Sequence, residues 1–412
     1  MAGARGPSPA AIARAVVRYY HAAKRDLPWR ATRDPYAIWV SEIMLQQTRV
    51  ATVIPYWTRW LARFPSVRAL AAAPLDDVLA AWSGLGYYSR ARNLHAAAGE
   101  LMRDGGAMPT TAAELAHVRG IGRYTAGAIA SIAYGERTPV VDGNVARLLA
   151  RLYAIEHDIK GRTGQVALWA RASEIVDALP ADAAPGDLNQ GLIELGATVC
   201  TKAQPRCAVC PVADACAAHR AGHEDRFPIV AKRTPEAELP ILAHAALWIV
   251  DRGELLLARR RADGLFGGLW ELPQGPALAP LARRWRARAD HSLVAYHEQT
   301  LSHRRLRITV FRAHARDRLV DPPDPGYDAV SYRPLRDARA LGIAASTAAI
   351  LRKHEDTPWS SIPKRSPSST KATTRSSKAS RGSATTPAIR TSRTPQSARR
   401  RASTSSSTIK RR

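Results

Sequence analysis

Cysteine is scarce in this 412-residue chain, and all four cysteines fall between positions 200 and 216. With none elsewhere a disulfide framework is excluded, and one compact thiolate site is left. Long apolar runs are also lacking. The longest, residues 243–250, is too short to cross a bilayer. Arg14 and Arg18 interrupt the N-terminal segment, so it holds no continuous signal-peptide core. Together these absences lead us to expect a cytoplasmic protein with no membrane partner.

Acidic residues are absent from one end: residues 360–412 hold fourteen Lys/Arg and no Asp or Glu. The net charge is +26, so this segment leaves +12 for the remainder. A body that basic favours a polyanionic partner, DNA or RNA, over an acidic protein. The same segment is built from Ser, Thr, Lys, Arg, Pro and Ala without aromatics. It cannot bury a core and is expected to be a disordered basic tail over residues 357–412.

What is present divides in two. Up to residue 217, apolar residues recur at helical spacing, as in Ile12, Val16, Tyr19 and Tyr20, or Leu75, Val78, Leu79 and Trp82. Gly and Pro punctuate them, and an all-α domain of ten or so short helices is expected over 8–217. Residues 218–240 have linker composition. Beyond them a smaller α+β domain is expected over 241–356. It starts with a hairpin turning at Asp251–Arg252–Gly253, has further strands at 294–297, 305–313 and 329–333, and has helices near 277–289 and 346–353.

Four features carry chemistry. Cys200, Cys207, Cys210 and Cys216 form C-x6-C-x2-C-x5-C. Four thiolates hold either zinc or an iron–sulfur cluster; only one gap has the short two-residue length of zinc loops, which favours the cluster. In VRGIGRYTAGAIA (118–130), Gly120 and Gly122 permit a tight turn between helices, with backbone N–H groups at the second helix able to bind phosphate. Taken alone, it is equally an ordinary helix–helix turn. Asp142 precedes the helical stripe Val145, Leu148, Leu149 and Leu152, so it is an N-cap or a carboxylate at the mouth of a cleft. Glu42 lies beside Trp39 and Ile43, either as an exposed helix glutamate or as an acid whose pKa apolar neighbours raise.

The segments LPWR (27–30), DPYAIWVSEIMLQQTRVATVIPY (34–56), GLGYYSRARNLH (84–95), GIGRYTAGAI (120–129), VDGNVARLLAR (141–151) and the four cysteines occur in one order. Together they resemble the helix-hairpin-helix base-excision glycosylases with a cluster loop, most closely the adenine DNA glycosylases, over residues 8–355. The resemblance implies a glycosylase domain with one [4Fe-4S] cluster, and a Nudix-like domain after it. It implies double-stranded DNA holding A:8-oxoguanine or A:G mispairs as partner, bound by a monomer.

By the same resemblance, Glu42 protonates the leaving purine and Asp142 stabilises the cationic sugar, with Asn144 beside it. The base must first be flipped from the stack. Tyr124 stands where strand-cleaving relatives carry a Schiff-base lysine, and no lysine lies between Met108 and Ile159, which implies base removal without strand cleavage. Gln47 and Tyr88 match wedge residues that probe the opposite base. Arg25, Arg30, Gly120 and Gly122 are implied to contact the DNA or line the pocket. In the second domain, Ser302 and His303 match a lesion-reading loop, although Leu301 replaces its aromatic residue. No glutamate lies between Gly275 and Asp290, so nucleotide hydrolysis by this domain is not expected.

Overall fold

Proline or a short polar cap starts several helices and glycine follows the end of several, so the N-terminal half folds into many short rods. The computed structural model of the chain describes residues 8–231, 235, 238–263, 265–301, 303–338 and 341–354. The expected basic tail lies outside the described residues. Helices α1 (Pro9–Ala23), α2 (Pro35–Leu45), α3 (Val50–Arg63), α4 (Val67–Ala72), α5 (Leu75–Ala81) and α6 (Ser89–Arg103) come first. They are followed by α7 (Ala112–Leu115), α8 (Arg123–Ala133), α9 (Gly143–Leu152), α10 (Arg162–Asp177), α11 (Pro185–Thr198) and α12 (Ala217–Arg220). The caps follow ordinary rules. Asp34 accepts from the Tyr36 N–H ahead of Pro35 at the first position of α2, and Thr111 and Glu114 form a reciprocal capping box on α7.

These helices enclose two apolar cores. One is built from α2 to α8 around Trp39, Trp60 and Trp82, with the Trp60 and Trp82 rings edge-on at 5.4 Å. The other joins α1 to α9, α10 and α11 through Val16, Leu149, Leu168 and Leu192. Close backbone approach is what lets the two meet. A Cβ on Gly127 of α8 would stand 2.7 Å from the Pro139 carbonyl, and one on Gly196 of α11 would stand 2.7 Å from the Asn144 carbonyl. The segment leading into α9 is therefore held between α8 and α11, a placement that only small residues allow.

The C-terminal half is a sheet covered on both faces. Its strands are β1 (Ile241–Asp251), β2 (Glu254–Arg260), β3 (Trp270–Glu271), β4 (Gln274–Gly275), β5 (Ala287–Thr300), β6 (Arg305–Ala315) and β7 (Tyr327–Arg333). The order β3-β2-β1-β6-β5 has β1 parallel to β6 and antiparallel to β2; β4 pairs with β1, and β7 with β2. Alternate residues of β1 point to opposite cores: Ala246 and Trp248 face α14 (Ala345–Arg352), while Leu247 and Ile249 face α13 (Leu278–Arg284).

Two expectations need correction. The helix expected near 277–289 ends at Arg284, because Trp285 is wholly buried and Arg286 turns the chain at φ +47°. The strand expected at 294–297 runs from Ala287 to Thr300, its alternation masked by register shifts around Leu293. The expected linker is also tied down in its first half: Arg151 donates to the carbonyls of Glu224 and Phe227, and the Ile159 N–H to that of Ile229. Leu269 and Ala344 of the second half join the first helical core, and Arg259 pairs with Asp76 at 3.1 Å. No helix among the described residues is long and apolar enough to cross a membrane.

Candidate active site

A cleft of about 570 Å³ opens between the two helical cores, lined by residues of α2, α8, the start of α9 and α11. Glu42 reaches it from α2 and is 7 % exposed. A carboxylate in such surroundings loses its hydration, so burial raises its pKa to about 7. A hydrogen bond from the Tyr124 hydroxyl opposes that shift, the nearby Asp142 charge adds to it, and Arg30 lessens it. Tyr124, in the first turn of α8, is itself held well above an ordinary phenol by burial and by Glu42 and Asp142, so it remains a donor.

Asp142 caps α9. Its carboxylate accepts from the N–H of Asn144 at 2.9 Å, the N–H of Val145 at 2.7 Å and the Asn144 Nδ2 at 2.8 Å. Burial raises its pKa from the ordinary aspartate value, and these three donors together with Arg147 counter the rise. The helix N-terminus adds its positive end. Asp142 thus has three N–H donors against the single O–H on Glu42, and it is the better placed of the two to hold negative charge. One carboxyl whose pKa is raised to about 7 stands across the cleft from one whose rise is restrained by three N–H donors and Arg147, an arrangement that can pair an acid with an anion beside a developing cation.

Arg25 and Arg30 flank the cleft but are not free cations. Both clamp Glu194 of α11: Arg25 Nε and Nη2 donate at 2.7 Å each, and Arg30 Nη2 donates at 2.8 Å. Burial pushes Glu194 upward, yet the two guanidiniums prevail and hold it at about 2. Glu194 was not singled out from sequence; its one signal is a lone carboxylate inside the apolar run Leu192, Ile193 and Leu195.

Gln47 lines the mouth of this cleft with a left-handed backbone at φ +57°. Tyr88 does not. It lines a second cleft of about 740 Å³, together with Phe266, Leu301 and His303 from the sheet half, and its hydroxyl donates to the Ile343 carbonyl at 3.1 Å. Ser302 lies outside the described residues. Gly120 makes the hairpin turn at φ +77°, and Gly122 is the N-cap of α8 with open space where a Cβ would stand.

The four cysteines form no disulfide and line one cavity with Leu148 and Arg151. Arg151 is 2 % exposed and has no carboxylate partner among its hydrogen bonds. It donates to Cys200 Sγ at 3.3 Å and otherwise to carbonyls. A buried cation is favoured beside negative charge, which the four cysteines would supply as metal-bound thiolates, so the residues fit a soft-metal group held by sulfur. Cys207, His219 and Glu224 form a second possible donor set, with ligand atoms within 4.8 Å of one another.

Comparison with known proteins supplies context. Residues 40–171 match the model of the HhH-GPD superfamily base excision DNA repair proteins, and residues 245–353 match that of the NUDIX domain. The adenine DNA glycosylase of Homo sapiens is 39 % identical over 63 % of this chain and 56 % of its own. That of Buchnera aphidicola (strain Bp) is 36 % identical over 62 % of this chain and 71 % of its own. That of Schizosaccharomyces pombe is 33 % identical over 63 % and 68 %. The chain spans between 56 % and 60 % of the length of the human, mouse and rat proteins.

The raised Glu42 pKa has a consequence for stability. A carboxyl whose native pKa lies above its ordinary 4.5 contributes its full stability below that value and loses it as pH rises through about 7. Glu42→Gln carries no charge to bury. Thermal unfolding is therefore expected to show the variant more stable than the parent by about 1–3 kcal/mol at pH 8, with the gain vanishing near pH 4.5. Equal stability at both pH values would contradict a buried, shifted Glu42.

Proposed function

The chain belongs to the adenine DNA glycosylase family, and we propose that it removes adenine mispaired with 8-oxoguanine or guanine from duplex DNA, by hydrolysis and without strand cleavage. On this reading the helical domain (8–217) breaks the bond and the Nudix-like domain (241–356) reads the opposite base. The observation that supports it most is the pairing, across one cleft, of a protonatable Glu42 with an Asp142 held by three N–H donors.

The cleft accepts a base turned out of the stack. Glu42 gives its proton to the base, so that it departs neutral rather than as an anion. The hydroxyl of Tyr124 keeps the Glu42 carboxyl oriented toward the cleft. Positive charge that develops on the sugar is met by Asp142, whose own donors fix it in place before the reaction starts. Water adds to the sugar carbon as the bond to the base breaks, and its proton goes to the Glu42 carboxylate left by the first transfer. Tyr124 has no amine to attack the sugar carbon, so no Schiff base forms there and the phosphate backbone is left intact. The open N–H end of α8 at Gly122 is suited to a phosphate, which would anchor the strand beside the cleft. The pair Leu301 and His303, facing Tyr88 across the second cleft, would meet the opposite base.

Cys200, Cys207, Cys210 and Cys216 would hold one [4Fe-4S] cluster. When bound, the cluster would crosslink the 200–216 segment. Arg147 and Arg151 tie that segment to α9 by donating to the carbonyls of Cys200 and Thr201. Metal analysis of the purified chain is expected to give four irons and no zinc per molecule, and Cys210→Ser to lose iron and thermal stability together. Stoichiometric zinc without iron would contradict the cluster.

Single-turnover assays on a duplex with one adenine opposite 8-oxoguanine test the activity. Strand breaks are expected only after alkali treatment, and the rate is expected to fall as pH rises through about 7 and Glu42 loses its proton. Glu42→Gln should slow excision by roughly 10²–10⁴-fold while binding the duplex as the parent does. Breaks without alkali, or a variant as fast as the parent, would overturn the assignment.

A further inference from the structure

Arg90, near the start of α6, is 9 % exposed, and none of its hydrogen bonds goes to a carboxylate. Its Nη1 donates to the carbonyls of Ile43 at 2.8 Å, Met44 at 2.9 Å and Gln46 at 2.5 Å. Its Nη2 donates to Thr48 Oγ1 at 3.1 Å and to the carbonyls of Leu85 at 2.9 Å and Gly86 at 3.1 Å. The guanidinium also lies over the rings of Trp82 and Tyr87, at 5.2 and 5.7 Å. Burying a cation on neutral dipoles alone is costly, and burial accordingly lowers its pKa to about 10, so it remains charged at neutrality.

What these contacts join is specific. One set ends the turn after α2, which carries Gln47 at the mouth of the first cleft. The other ends the turn before α6, which carries Tyr88 in the second cleft. Each turn contains a non-glycine residue in the left-handed region, Gln47 at φ +57° and Tyr87 at φ +47°. Such residues persist only where their surroundings over-determine them. In both turns the carbonyl immediately before the strained residue, Gln46 or Gly86, is bonded to the same guanidinium.

We propose that Arg90 is a positioning residue that fixes these two turns to each other, so that entry of a base into the first cleft is coupled to what occupies the second. The inference rests on the glycosylase reading for its functional half; its geometric half stands without it. Arg90 touches neither Glu42, Tyr124 nor Asp142 by hydrogen bond, so it sets which duplexes are opened and leaves the acid chemistry as it is. A lysine cannot replace it, because a point ammonium has three donors and lacks the planar fork that reaches both turns at once.

Two measurements on Arg90→Lys test this, with Thr48→Val as a milder variant that removes one acceptor of Arg90 and the weak Thr48 Oγ1 bond to the Gln46 carbonyl, and keeps the guanidinium. Amide hydrogen exchange is expected to accelerate in both turns together, 46–48 and 85–88, with the first turn of α8 unchanged. In single-turnover excision the rate opposite 8-oxoguanine should fall by roughly tenfold to a hundredfold. The preference for 8-oxoguanine over guanine should narrow, and the pH inflection near 7 should stay in place. Thr48→Val should shift the same quantities in the same direction by less, and it carries the test if Arg90→Lys does not fold. Loosening of one turn alone, or equal loss on both mispairs with the preference intact, would overturn the proposal. A parent protein that releases no adenine would instead refute the glycosylase reading, and the exchange measurement would still decide whether Arg90 joins the turns.

Discussion

Two carboxyl groups buried in one cleft cannot both be charged at low cost, and the helical half of this protein holds them in different surroundings. Glu42 enters from the middle of a buried helix and has a phenol as its hydrogen-bond donor. Asp142 enters at a helix N-terminus and has three N–H groups. Burial raises both, and the larger supply of donors on Asp142 opposes the rise there. That supply follows from backbone placement: α9 begins where it does because Gly127 and Gly196 let its leading segment slide between α8 and α11. A methyl group at either glycine would move the cap and, with it, the charge.

The same economy of charge recurs around the cleft in another form. Several guanidiniums, buried at Arg90 and Arg151 and exposed at Arg25, serve as fixed struts. Arg25 and Arg30 are spent on Glu194, Arg151 on the cysteine segment and its carbonyls, and Arg90 on the two turns. Each uses the planar fork to gather acceptors from elements far apart in sequence. These struts explain how a chain of short helices holds two clefts in a set relation. They also mean that part of the large positive charge is internal and is not available to attract a polyanion.

Much of this was legible in the sequence, for reasons that differ by element. Helix positions followed from apolar spacing and from Asp–Pro and Gly signals, because these are local. Glu42 and Asp142 stood out because a carboxylate in an apolar stretch, or at a helix start, has few roles open to it. Their meeting at Tyr124 rested on resemblance alone, since no local rule brings residues 42, 124 and 142 to one point. Arg90 was invisible: its partners are mostly backbone carbonyls, which leave no trace in residue identity. Glu194 carried a faint signal, but its partners lie 164 and 169 positions away. The β5 strand was under-read because its bulges break the alternation that marks a strand.

The account turns on the protonation state of Glu42, and that can be read directly. Infrared difference spectra between the parent and Glu42→Gln, recorded without DNA across a pH titration, isolate the carbonyl stretch of this one carboxylic acid. The band is expected to persist to neutrality and vanish with a midpoint near 7. A band that disappears near the ordinary value of 4.5 would show Glu42 ionised at neutrality, and the cleft would then hold no acid for the leaving base.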